Sequence, residues 1–135
     1  MSLLMMKSVL TTILLLVAIA QALGMAQVRG YVQFLPVERK RLRQRHRGGG
    51  IGALILALAV AAMCVFGERY AYYPPRVLAH VVMGTLAIVV LLLKVLITHR
   101  WRRQLRHNTA LGAIAGLLIL GTFAASALWV FVGAA

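Results

Sequence analysis

From Val77 to Thr98 the chain runs for twenty-two residues in which only His80, Thr85, Lys94 and Thr98 carry polar side chains. At a helical rise of ~1.5 Å per residue this stretch spans roughly 33 Å, enough to cross the hydrocarbon core of a bilayer. The Pro74-Pro75 pair sets a rigid start for the helix. An imidazole stands near one end of the segment and a lysine near the other. Leaving such a group unpaired in hydrocarbon costs several kcal/mol, on the order of, so an ionisable residue inside a membrane helix is a functional hypothesis by default. The sequence therefore poses one question first: what does His80 pair with?

Three further apolar runs accompany this one, giving predicted helices at about 8–28, 50–67, 77–98 and 108–132. With 62% hydrophobic residues and a mean hydropathy of +0.90, the chain belongs to the integral membrane class. The first run has the outline of a signal peptide, with Lys7 before it and small residues around Ala22 and Gly24. Cleavage would strand the very basic segment that follows on the outer side, so a transmembrane helix is expected. Cys64 is the sole cysteine, which leaves no internal disulfide and no cysteine cluster for zinc or iron–sulfur.

The formal charge of +13 comes from fifteen Lys and Arg against only Glu38 and Glu68. Nucleic acid is not the expected partner, because the cations lie between apolar segments, where they orient a membrane protein. Seven of them (Arg29, Arg39, Lys40, Arg41, Arg43, Arg45, Arg47) fall in the loop 29–49, and four (Arg100, Arg102, Arg103, Arg106) in the loop 99–107. The other side holds Lys7, Arg69 and Arg76. The expected fold is all-α, an integral membrane four-helix up-down bundle in one domain, with both termini outside and both basic loops cytoplasmic. Residues 37–47 are expected either as a topology-setting loop or as a short basic helix lying on anionic lipid. Gly48-Gly49-Gly50 reads as a flexible joint into the second helix, and Asn108 as the cap of the last. Tyr70, Tyr72 and Tyr73 fit an aromatic belt at the interface. Gly112-x3-Gly116 and the Ala53, Ala57, Ala61 line permit close helix packing.

Chemistry rests on few residues. His80 and Gly84 share a helical face, and a histidine followed four residues later by glycine suits a macrocycle ligand, since the absent side chain leaves room for a flat ring. The alternative is an interfacial histidine bonded to a neighbouring helix or to water. Met63 is the partner candidate at the same depth, with Met as core filler the alternative. At the cytoplasmic side, His46 and His107 each precede a helix and are followed by glycines, so they form a second candidate pair across the bundle diagonal. Arg45, Arg47 and Arg106 stand where propionates would need them; otherwise these are interfacial histidines among solvated arginines. Lys94 is expected to snorkel to the headgroups without a buried partner. Hydrolytic and phosphoryl-transfer chemistry is excluded as an expectation, because both acids lie in loops and no phosphate loop exists.

His46-Arg47 leading to Gly52, Pro75-Arg76-Val77-Leu78-Ala79-His80 with Gly84, Lys94-Val95, and Ser126-Ala127-Leu128-Trp129 together resemble an uncharacterised bacterial family of small four-helix membrane proteins. That family is similar in layout to b-type cytochromes of the cytochrome b561 and ferric-reductase kind. The likeness covers Arg45 to Phe131, and the PRVLAH-x3-G segment is its most specific part. It implies haem b, with His80 as a ligand. Where the family pattern has His-Cys near the end of the second helix, this chain reads Met63-Cys64, which makes the site His/Met or removes it. The function expected in a bacterial cytoplasmic membrane is therefore an electron-carrying cytochrome-like subunit of an energy-converting complex. The alternative is a haem-free accessory subunit packed against other subunits of a respiratory or photosynthetic complex.

Overall fold

In a computed structural model, residues 2–67 and 74–133 are described, and the elements they form are helices. The helices are α1 (Leu3–Val28), α2 (Arg39–Gly67), α3 (Pro75–His99), α4 (Asn108–Ala125) and the short α5 (Ala127–Gly133). A six-residue 3-10 turn, Arg102–His107, leads into α4. Four helical spans are long and apolar enough to cross a membrane, α4 and α5 together making the fourth. The chain is thus a multi-pass membrane protein. Each helix packs on its chain neighbour, and α4 closes back on α1, so the four spans form an up-down ring with α1/α3 and α2/α4 on the diagonals. The tyrosine loop expected at the interface falls on residues 68–73, outside the described residues.

The core is built from small side chains. Ala53, Ala57, Ala87, Leu91, Ala115 and Ile119 interlock with Leu14, and none of the described large side chains is fully buried. Their spacings of four within each helix, 53/57, 87/91 and 115/119, put one inward stripe on each. Larger side chains such as Leu16, Ile55, Leu86 and Leu117 point outward. This order of sizes follows from the solvent. Lipid tails are as apolar as leucine, so helices gain most by bringing backbones close over small residues. Hydroxyls inside the spans bond back to the carbonyl one turn earlier, as Thr11 does to Lys7 at 2.8 Å and Thr85 to Val81 at 2.8 Å.

Three expectations about the helix ends are corrected. The segment 39–47 neither lies flat nor forms a loop: it is the first part of α2, which runs unbroken through Gly48-Gly49-Gly50. Leu42 supplies the reason, since it is buried against Gly24 of α1 and holds the basic turns upright alongside that helix. The connection before it is fastened by Gln27. Its Oε1 accepts from the Phe34 and Leu35 N–H groups at 3.3 and 3.2 Å, and its Nε2 donates to the Leu35 carbonyl at 2.6 Å. Gly30, at φ +83°, ends α1 in the left-handed conformation. Its N–H bonds Gln27 O and the Tyr31 N–H bonds Ala26 O, a Schellman closure. Asn108 does not cap α4; its Nδ2 donates to Thr98 Oγ1 at 3.1 Å instead. The last helix does not run through to Val132, because it breaks at Ser126.

Candidate functional site

Polar side chains gather at the two ends of the bundle. At the basic end, Lys94 Nζ lies 3.4 Å from His46 Nε2. Its stem crosses Gly112 of α4, where an added Cβ would sit 3.5 Å from Lys94 Cε. The lysine expected to snorkel alone is therefore paired across the bundle, and the glycine makes its passage possible. An ammonium has only donors, so Nε2 accepts and the ring proton resides on Nδ1. That Nδ1 is buried and faces the Gln21 backbone. Gln21 Oε1 and Asn108 Oδ1 are buried without partners. Thr98 ties the end together: its Oγ1 donates to Lys94 O at 2.8 Å, and its carbonyl accepts from Arg47 Nη2 at 3.5 Å. Arg29 donates to the Thr109 hydroxyl.

The expected pairing of His46 with His107 is not formed. His107 is exposed on the 3-10 turn, and its Nε2 accepts from Arg106 Nε at 3.0 Å. His46 faces Lys94, which stands between α2 and α4. Neither imidazole keeps a free Nε2 for a shared iron in this arrangement. A cavity of about 20 Å³ borders His46, Arg47 and Lys94. That is room for one water, against the several hundred Å³, roughly, of a cofactor site.

At the opposite end, His80 Nδ1 meets the Thr122 carbonyl at 3.4 Å. The break at Ser126 explains this contact. The Ser126 N–H turns to Phe123 O at 3.2 Å, so Thr122 O is left without that backbone donor. Ser126 Oγ, at 2.7 Å, and His80 take its place. A carbonyl can only accept, so Nδ1 carries the proton and Nε2 keeps its lone pair. Arg76 lies over the Trp129 ring at 4.8 Å, bracing the start of α3 against α5.

Whether this end fits a haem turns on space. The donor chemistry fits: ligating histidines commonly give their other ring N–H to a backbone carbonyl. The packing does not. Gly84 leaves no slot for a ring, because the Thr122 methyl stands 3.7 Å from where its Cβ would be. On the same seam, Met83 Sδ lies 2.6 Å from the Cβ position of Gly121, so α3 and α4 are closed against each other. Met63 is part-buried near the end of α2, on the far side of α3 from the carbonyl that holds His80. No group of three or more His, Cys, Asp or Glu that could hold a metal ion occurs among the described residues.

The residues that sequence reasoning passed over are Gln21 and Gln27, and Asn108 was read only as a cap. Each is an amide in or beside an apolar run, a signal that a partner must exist without saying which. Compared with known proteins, the chain matches one family model over its whole length, residues 1–135. It belongs to DUF6529, a family of unknown function. No curated protein and no solved structure matches it. Membership of DUF6529 assigns neither ligand nor activity, so the function must be argued from the packing and the polar ends.

Proposed function

We propose that this DUF6529 chain is a haem-free accessory subunit that packs against, and stabilises, a larger energy-converting complex in the bacterial cytoplasmic membrane. One observation carries the reading: an alanine-lined core closed between the helices, with the large apolar side chains turned outward. Among the described residues such a bundle encloses no substrate chamber between its helices, and it presents its apolar bulk to lipid and to neighbouring helices. Glu38 is the one acid among the described residues, which leaves no carboxylate for acid–base work inside the spans.

A second reading, a b-type cytochrome subunit, is favoured by the His80 tautomer, which keeps Nε2 in the form that can bind iron. Haem b would supply one-electron transfer, with His80 and Met63 as its holders. The two readings separate in one measurement, a dithionite-reduced minus oxidised spectrum of the purified chain after expression with haem supplied. The accessory reading expects no b-type α-band, and migration with a larger assembly on native gels of mildly solubilised membranes. An α-band that disappears in His80→Ala would replace it with the cytochrome reading.

A further inference from the structure

Of the four seams in the ring, the one between α2 and α3 is the slackest. At the basic end it opens into a cleft with two kinds of lining. Its rim carries Arg47, His46 and Lys94, and its wall is made by Gly50, Leu91 and Val95. Arg47 is exposed and reaches across the seam to the Thr98 carbonyl at 3.5 Å, a long contact that leaves most of its guanidinium donors unused. Lys94 is half-buried one helical turn deeper. Its partner in the chain is an imidazole and not a carboxylate, and Glu38, the one acid among the described residues, lies in the connection before α2. The positive charge at this seam therefore lacks a counter-charge from the described chain.

We propose that the α2–α3 seam at the basic end binds one anionic phospholipid. Its phosphate sits between Arg47 and Lys94, and an acyl chain lies along the outer edge of the seam over Gly50 and Val95. The ligand is a lipid because the cationic rim continues directly into an apolar wall along the membrane-spanning part of the seam, an amphipathic shape that matches a headgroup above a chain. The phosphate supplies the missing negative charge. The cleft itself holds about 20 Å³, room for a water or a single phosphoryl oxygen, so the rest of the lipid lies outside it along the seam. This holds whether or not the chain carries haem.

The test uses the full chain purified in a neutral detergent, with native mass spectrometry and thermal unfolding as readouts. Phosphatidylglycerol, phosphatidylcholine and inorganic phosphate are added in parallel at equal concentrations. The expected result is one phosphatidylglycerol retained per chain and a rise in unfolding temperature that the neutral lipid does not give. Arg47→Gln and Lys94→Gln should each weaken retention about fivefold, the worth of one basic group near an anionic headgroup. Lys94→Arg should restore it, and the double change Arg102→Gln/Arg103→Gln, at residues that do not line the cleft, should leave it unchanged. Should Lys94→Gln fail to fold, the exposed Arg47→Gln carries the comparison alone. Equal retention of the neutral lipid would overturn the proposal. So would a loss on removing Arg102 and Arg103 as large as the loss on removing Arg47, since that indicates a diffuse field. Inorganic phosphate reproducing the whole thermal shift would make the site one for a soluble anion, which also overturns it.

Discussion

Gln27 shows how one side chain settles a connection in this protein. It is buried at the end of α1 and satisfies two N–H groups and a carbonyl of residues 34 and 35, backbone that no helix serves. Removing it strands those groups beside the apolar interior. Gln27→Ala should therefore cost about 1–3 kcal/mol, the penalty for buried polar groups left unmade. Thermal unfolding in detergent would show it, and faster proteolysis within residues 30–38 should accompany the loss. An unchanged midpoint would mean that water replaces the amide without cost. His80 belongs to the same class of argument: its contact with Thr122 O compensates a broken helix bond before it prepares anything for a metal.

Among the elements, α2 departs furthest from expectation, and its glycines say why. Three consecutive glycines read as a hinge because glycine weakens a helix by ~0.5–1 kcal/mol relative to alanine. Only the middle one meets a neighbouring side chain. A Cβ on Gly49 would collide with the end of the Gln21 side chain of α1, whereas Gly48 has nothing within 4 Å. The two substitutions should thus differ. Gly48→Ala should stabilise by about 0.5–1 kcal/mol, while Gly49→Ala should gain less, because the Gln21 amide has to swing aside, and Gln21→Ala should remove the difference. Melting curves of the four variants decide the matter. Equal effects at both glycines would mean that α1 and α2 are not in close contact there.

For the molecule as a whole, the disposition of charge sets orientation. The upright basic turns of α2, Arg29 and the 3-10 turn all lie at one end of the bundle, and only Lys7 and Arg76 of the described cations stand toward the other. The positive-inside rule places the basic end in the cytoplasm and both termini outside. In a Cys64→Ala background, a cysteine introduced at Gln44 should resist a membrane-impermeant thiol reagent in intact cells and react after permeabilisation. Reaction in intact cells would invert the topology, and with it the leaflet from which the proposed lipid is drawn.

The sequence by itself determined the number of spans, the all-α class and the end that carries the charge. Length and hydropathy act locally, and a bilayer leaves the backbone few alternatives to a helix. Residue type was equally legible at His80, which had to find a partner, whereas Lys94 was expected to snorkel without one. Which partners they find was decided only by the tertiary structure. Lys94 meets His46 because Gly112 on a third helix lets its stem pass, and His80 meets Thr122 because α4 breaks at Ser126. The role of Gly84 was likewise hidden, since a glycine that admits a flat ring and one that admits a neighbouring helix are the same residue until the neighbour is placed. Here the neighbour is the Thr122 methyl, and the space belongs to the bundle.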